Sequence, residues 1–175
     1  METTSPKINK NEDTKAVAKS PPVEVTRNFD VPIERVWQAW ANPELVKQWW
    51  GPEGYSCPEA KSDFRQGGKY LFAMKGPDAK VAWSGGVYEQ IVENKKIVYT
   101  DNFTDKDGKV VDPEVYGMPG EWGDTTRVTV EFEKISDAET KMSLKHEGIP
   151  ADMHDDCVQG WTSSIGKIEK LVRRA

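Results

Sequence analysis

The chain lacks the features that define several large classes of protein. It has only two cysteines and two histidines in 175 residues. No stretch approaches the roughly 18 consecutive apolar residues of a membrane-spanning helix. The first 22 residues contain no apolar core of a signal peptide. From these absences we expect a protein of the cytoplasm, without a membrane span and with both thiols reduced rather than paired.

Positive charge is also scarce. The formal net charge is -5 and no long block of lysine or arginine occurs, so we expect no nucleic acid partner. The segment "HDDC" at 154–157 resembles a metal-binding run. However, His154 and Asp155 are neighbours on a predicted helix and should point apart, and Val158, one turn on from His154, cannot bind a metal. We therefore predict no metal and no cofactor.

Aromatic residues, in contrast, are abundant. Seven tryptophans, five tyrosines and five phenylalanines are many for this length. Aromatic side chains bury large areas and often line ligand pockets. The most conspicuous are Trp49 and Trp50, directly before a Gly-Pro break. Because neighbours on a helix point about 100° apart, we expect one of them in the core and the other at a cavity mouth or at the surface.

The N-terminal part of the chain changes composition near residue 22. Residues 1–21 are polar and almost free of large apolar residues, which predicts a flexible tail before one domain over 22–175. The run 23–32 alternates and is rich in β-branched residues, as is typical of a strand. Helical spacing then predicts a helix over 32–41, with Asp30 as its cap. A second short helix should begin at Asn42 and end at Gly51.

Strand-like runs separated by turns fill the middle of the chain. They are 57–65, 69–75, 81–92, 96–104, 125–135 and 139–149. A segment rich in glycine and proline over 105–123 is long for a hairpin, and its Tyr116, Met118 and Trp122 predict either a loop pinned to the body or a lid over a cavity. A continuous apolar stripe predicts a helix from about Ala151 to Arg173.

This order of elements predicts an α+β fold. Six to seven antiparallel strands form an open sheet whose apolar face needs a cover. The last helix is the one predicted element long enough to supply it, so the sheet should curve around that helix, with the two short helices after the first strand. No internal repeat is visible, and the sequence leaves monomer or weak dimer open.

Several blocks of the sequence resemble one known family. They are "FDVPIERVWQAWANPELVKQWWGP", "DFRQGGKYLFAMKGPD", "GGVYEQIVENKKIVYTDNF", "TRVTVEFEK" and "DCVQGWTSSIGKIEKLV". In this order they resemble the activators of the ATPase of the ninety-kilodalton heat-shock chaperone, in their small single-domain bacterial form. The resemblance covers about 23–173. It implies the helix-grip fold, also called START-like or birch-pollen-allergen-like (SRPBCC), in which a sheet grips a C-terminal helix and leaves a cavity between them.

The fold that this resemblance implies occurs with lipid and hormone carriers, cyclases and co-chaperone domains, so it does not settle function. The favoured interpretation is a protein that binds a small hydrophobic, aromatic or lipid-like ligand in the cavity. The first alternative is a stress-related chaperone-interaction domain, and the second is a cyclase or hydratase-type enzyme, with His146 as an acid or base. No residue pair supports nucleophilic catalysis, so a binding protein is favoured over an enzyme, and no catalytic residue is assigned.

The candidate cavity residues come from the predicted inner strand faces, the long loop and the last helix. They are Trp50, Tyr70, Phe72, Met74, Trp83, Tyr88, Tyr99, Phe103, Met118, Trp122, His146, Met153, Cys157 and Trp161. Gly160 and Ser164 are small enough to make room for a ligand, or for a closely packed strand, beside the last helix.

Overall fold

The computed structural model describes residues 20–174. The predicted flexible tail over 1–21 therefore lies outside the described residues, except for its last two. The strands are β1 (Val23–Phe29), β2 (Ala60–Ser62), β3 (Lys69–Lys75), β4 (Val81–Val92), β5 (Lys96–Thr104), β6 (Thr126–Ser136) and β7 (Glu139–Glu147). The helices are α1 (Ile33–Ala41), α2 (Pro43–Trp49) and α3 (His154–Arg173), and 3-10 turns form at Pro113–Tyr116 and Ala151–Met153.

The strands form one antiparallel sheet in the order β1-β7-β6-β5-β4-β3-β2. The chain therefore runs as a meander from β2 to β7, and β1 closes the far edge by pairing with β7. The sheet is curved and α3 lies across its concave face, so the predicted α+β helix-grip architecture is confirmed. None of the helices in the described part of the chain is long and apolar enough to span a membrane.

The two short helices form where the sequence predicts them, but their caps differ. The Asn42 side chain accepts a hydrogen bond from the Glu44 amide at 3.0 Å, and Pro43 occupies the first turn. This is the expected start of α2. The predicted cap at Asp30 is wrong: Pro32 occupies the cap position of α1, without a side-chain hydrogen bond.

Strands β3, β4 and β5 have the bounds that the sequence predicts. The run 57–65 does not form one strand, because only Ala60–Ser62 pairs with β3. Pro58 interrupts this run, since proline has no amide hydrogen for a sheet. Ser56 forms an isolated bridge with Lys75 before that proline, and after Ser62 the Asp63 amide donates to the Lys69 carbonyl at 2.9 Å, where the chain turns into β3.

The core lies between the sheet and the C-terminal half of α3. Ile165 and Ile168 of α3 are fully buried, as are Val128 and Val130 on the facing side of β6. Arg27 of β1 also forms an ion pair with Glu169 of α3. This half of the helix is thus fixed to the sheet by close packing, and its N-terminal half borders a cavity.

Candidate functional site

A cavity of about 390 Å³ lies between the sheet, the N-terminal half of α3 and the loop that joins β5 to β6. Its walls are mainly aromatic and aliphatic. The predicted candidates that line it are Trp50, Met74, Trp83, Phe103, Met118, Trp122, His146, Met153, Cys157 and Trp161. Gly160 also lines it, and a Cβ atom built on Gly160 would meet no atom within 4 Å.

Four of the candidates do not border this cavity. Tyr70, Phe72, Tyr88 and Tyr99 form a ring cluster in the core, in which the Tyr70 ring centroid lies 4.8, 5.5 and 5.3 Å from the centroids of the other three. They occupy the inner sheet face opposite the tryptophans of α1 and α2, which fill the space there. Alternation along a strand predicts that a residue faces inward, but not which part of α1, α2 or α3 covers it.

The two adjacent tryptophans have different surroundings. Trp49 is 1% exposed, and its Nε1 donates a hydrogen bond to the Ala39 carbonyl at 2.7 Å. Trp50 is 6% exposed and borders the cavity. Its ring centroid lies 4.9 Å from that of Phe72 and 5.9 Å from that of Trp161. Trp50 therefore connects the core ring cluster to the cavity wall.

His146 is held by a chain of hydrogen bonds at the deep end of the cavity. Trp161 Nε1 donates to His146 Nδ1 at 3.0 Å, so this ring nitrogen is unprotonated. The other nitrogen, Nε2, then carries the hydrogen and donates to Thr126 Oγ1 at 2.9 Å. Thr126 Oγ1 donates in turn to the Asp101 carbonyl at 2.7 Å. Both ring nitrogens are thus occupied, and burial lowers the pKa of His146 to about 3.

Asp101 places a carboxyl group beside this histidine. Its Oδ1 lies 2.8 Å from the Tyr70 hydroxyl, which also lies 2.9 Å from the Thr100 carbonyl. Tyr70 has a single hydrogen and can fully satisfy only one of these acceptors. If Asp101 carries a proton on Oδ1, it donates to the Tyr70 oxygen, and Tyr70 donates to Thr100. Consistent with this, burial raises the pKa of Asp101 from 3.8 to about 6, although the hydrogen bond from Tyr70 opposes the rise.

Asp101 is not among the site residues predicted from the sequence, although the alternation of β5 indicates it. Alternate residues of β5 lie on the same face of the strand, namely Ile97, Tyr99, Asp101 and Phe103. Of these, Ile97 and Tyr99 are buried. An ionisable side chain in register with buried apolar residues indicates a buried carboxyl group. Two other ionisable groups near it, Cys157 and Tyr99, stay protonated, because burial raises the pKa of Cys157 to about 12 and that of Tyr99 well above its ordinary value.

The loop between β5 and β6 forms one side of the cavity and is also attached to the body. Phe103 contacts both Tyr116 and Trp122, with centroid distances of 5.9 and 5.5 Å. The Tyr116 hydroxyl donates to the Thr104 carbonyl, and Trp122 Nε1 donates to the Pro119 carbonyl at 3.1 Å. The loop therefore combines both alternatives that the sequence leaves open: it is pinned by its own aromatic side chains, and it lines the cavity through Met118 and Trp122.

The geometry of the "HDDC" segment differs from the expectation. His154 and Asp155 do not point apart, since Nδ1 of the histidine lies 3.5 Å from Oδ1 of the aspartate. The two side chains approach each other because His154 is the first residue of α3 and turns its Nε2 toward the Pro22 carbonyl, 3.1 Å away. Among the described residues no group of three or more histidine, cysteine, aspartate or glutamate side chains is placed to hold a metal ion.

A curved antiparallel sheet closed around a C-terminal helix, with a cavity between them, defines a helix-grip domain. The family model described as "Activator of Hsp90 ATPase homolog 1-like protein" matches residues 30–173, and the chain therefore belongs to this family. No curated protein matches the chain significantly.

Solved structures of several bacterial proteins resemble the chain over most of its length. A crystal structure of a protein from Chromobacterium violaceum is 28% identical, with a TM-score of 0.71, and the match covers 86% of this chain and 96% of that one. A solution structure from Arthrobacter aurescens is 24% identical, with a TM-score of 0.74 and coverages of 91% and 92%. The AHSA1 protein from Silicibacter pomeroyi is 21% identical, with a TM-score of 0.70 and coverages of 87% and 97%. The last two comparisons show the fold alone.

Proposed function

We propose that the protein binds a small hydrophobic or aromatic molecule in the cavity between the sheet and α3. The observation that carries this proposal is the cavity itself. Its volume of about 390 Å³ lies within the range of roughly 300–1,000 Å³ that is typical of small-molecule sites. A lining of aromatic side chains with a few polar groups at one end is also typical of such sites.

The chaperone-interaction alternative receives less support from the structure. It predicts a filled core and an exposed apolar or charged patch. The cavity is the opposite of a filled core, and the large apolar side chains that are exposed among the described residues are spread over the loop after α2, the two ends of β4, the loop between β5 and β6 and the end of β6. These residues are Tyr55, Val81, Val92, Val110, Val115 and Ile135.

Catalysis by His146 is also disfavoured. Both of its ring nitrogens take part in hydrogen bonds within the protein, and its low pKa of about 3 keeps it neutral. A general base needs a free lone pair within reach of the substrate, and this histidine has none to offer.

The test is a ligand screen with a cavity-filling variant. Amide chemical shifts of the labelled protein are followed during addition of lipids, flavonoids and polyketide-like aromatic compounds. We expect shifts clustered on α3 and on the inner faces of β5 to β7. The absence of chemical shift changes with every compound, or changes scattered over the outer surface, would argue against the proposal.

The matched pair Gly160→Leu and Gly166→Leu then localises binding. Both glycines lie within α3, and a Cβ atom at either position meets nothing within 4 Å. Gly160 lines the cavity, and Gly166 is not among the residues that do so. We expect a hit from the screen to lose at least ten-fold in affinity for Gly160→Leu and to keep its affinity for Gly166→Leu. Equal affinity for both variants would place the ligand elsewhere.

A further inference from the structure

The charged residues of the cavity wall carry one sign. Among the described residues that line the cavity, the charged side chains are Asp101, Asp124 and Asp156, and there is no lysine or arginine. Asp124 and Asp156 are exposed at the rim. Asp101 lies deep, with 18% of its side chain exposed. A negatively charged ligand would therefore meet repulsion both on entry and at the deep end.

The second carboxylate oxygen of Asp101 has room for a ligand. Its Oδ1 is used by Tyr70. Its Oδ2 accepts no hydrogen bond from any described residue, and His146 Nε2, 4.0 Å away, directs its hydrogen to Thr126 instead. Oδ2 is an acceptor when Asp101 is ionised, and it stays one when the proton sits on Oδ1. A ligand with a hydrogen-bond donor would therefore find an acceptor at this end of the cavity.

The aromatic residues of the cavity wall favour one kind of hydrogen-bond donor on the ligand. Trp50, Trp83, Phe103, Trp122 and Trp161 all border the cavity. The face of an aromatic ring is negative and attracts a cation within about 6 Å of its centre, most strongly for tryptophan. Aromatic rings and a carboxylate together favour an ammonium group over a hydroxyl group, because the ring faces and the carboxylate both attract the positive charge of the ammonium.

We propose that the cavity takes an apolar molecule with a single protonated amine, whose ammonium group binds to Oδ2 of Asp101. This inference rests on the proposed function of the same cavity and names the chemistry of its ligand. The apolar part of the molecule lies against the tryptophans, and the ammonium ion forms an ion pair with the carboxylate at the deep end.

Asp101 sets the pH dependence of this binding, because the groups around it do not titrate in the same range. His146 of β7 stays neutral above its pKa of about 3. Cys157 of α3 stays neutral below its pKa of about 12. Burial raises the pKa values of Tyr70 of β3 and Tyr99 of β5 well above 10.0. Asp101, with its pKa of about 6, loses its proton between pH 5 and pH 7.5.

Three probes of the same shape test the proposal: 2-naphthylmethylamine, 2-naphthylmethanol and 2-naphthoate. They are titrated by calorimetry at pH 7.5 and low salt, where the amine is a cation, as lysine is. We expect the amine to bind at least ten-fold more tightly than the alcohol, and the carboxylate to bind most weakly. For the wild-type protein, amine affinity should fall by up to about ten-fold at pH 5, since Asp101 is then mostly protonated, and alcohol affinity should hardly change.

The variant Asp101→Asn separates charge from shape. We expect it to bind the amine and the alcohol about equally, because the amide keeps the size of the side chain and removes its charge. Glu24→Gln on the exposed side of β1 is the matched control, which removes one negative charge from a residue that does not line the cavity and should keep the preference. The comparison at two pH values needs no variant, so it decides the question even if Asp101→Asn does not fold.

The possible results distinguish the two proposals. If none of the probes binds, both the cavity function and the amine proposal are overturned. If the alcohol or the carboxylate binds as tightly as the amine, the cavity function stands and the amine proposal falls. A preference for the amine that survives in Asp101→Asn would also overturn the role assigned to that carboxylate.

Discussion

The buried carboxyl group of Asp101 should lower the stability of the folded protein near neutral pH. Its pKa is about 6 in the folded protein, compared with an ordinary value of 3.8. Between these values the folded state holds the proton after the unfolded state has released it. The contribution of Asp101 to the free energy of unfolding therefore decreases as the pH rises from about 4 to about 6 and becomes constant above that, a total decrease of about 3 kcal/mol at about 1.4 kcal/mol for each pH unit. Buried His146, whose pKa is lowered from 6.5 to about 3, contributes in the opposite direction between those two values, so the contribution of Asp101 is measured as the difference between the wild type and a variant at this position.

Replacing this residue by asparagine should stabilise the protein. Asp101→Asn removes the cost of ionisation and keeps a polar group beside the Tyr70 hydroxyl. We expect the variant to exceed the wild type by about 3 kcal/mol at pH 7.5, and by only about 1 kcal/mol at pH 4.5, where the wild-type carboxyl is mostly protonated in the folded state. Urea denaturation at the two pH values, followed by far-ultraviolet circular dichroism, measures both differences.

The control for this comparison is Glu24→Gln, which makes the same change of charge on the exposed side of β1. Its effect should stay within about 0.5 kcal/mol at both pH values, as is usual for exposed positions. If Asp101→Asn gains nothing, or gains equally at both pH values, Asp101 does not titrate as inferred. A gain that is larger near neutral pH would show that the ionised carboxylate of Asp101 destabilises the folded protein.

Three further predictions concern α3. Gly160→Leu and Gly166→Leu should each raise the free energy of unfolding in urea by about 0.8 kcal/mol, since leucine favours a helix over glycine by roughly this amount; a loss for Gly160→Leu alone would mean that the space beside it is not open. Trp161→Phe should cost about 2 kcal/mol in the same assay, because it leaves Nδ1 of buried His146 with only the weak thiol donor of Cys157, 3.8 Å away, and a loss below about 0.5 kcal/mol would contradict that hydrogen bond. Cys157, whose pKa is about 12, should react with iodoacetamide at pH 8 roughly a thousand-fold more slowly in the folded protein than in urea, as followed by mass spectrometry; equal rates would mean that its thiol is not protected by burial.

Local sequence patterns predicted most of the fold. Strands β3, β4 and β5 and the last helix have strong alternation or a continuous apolar stripe, and clear turn residues lie between them, so their bounds follow from short stretches of sequence. The run 57–65 shows the limit of this reasoning. Its composition is typical of a strand, but Pro58 has no amide hydrogen to donate to a neighbouring strand, and the strand forms only over Ala60–Ser62.

The composition of the cavity wall was harder to predict, because it depends on which elements lie opposite each other. Alternation places Tyr70 and Met74 on the same strand face, yet Tyr70 meets the core ring cluster, whereas Met74 reaches the cavity. The difference arises from the position of α2, which covers one end of that face. Asp101 does not follow from paired catalytic spacing, because it is a single acid in register with the buried residues of β5.

The cavity exists because α3 carries two kinds of surface along its length. In its C-terminal half, Ile165 and Ile168 fill the space against the sheet completely. Nearer the N-terminus Gly160 has no side chain, and the hydroxyl of Ser164, the residue directly before Ile165, donates to the Gly160 carbonyl at 2.9 Å. Ser164 therefore needs no partner from the sheet. Trp161, between the two, turns its indole toward His146 of β7 and forms part of the cavity wall, so open space remains beside the small residues. In the N-terminal half the apolar stripe continues through Met153, Cys157 and Trp161, but these side chains border the cavity, so the C-terminal half of the helix maintains the fold and the N-terminal half lines the space that we assign to binding.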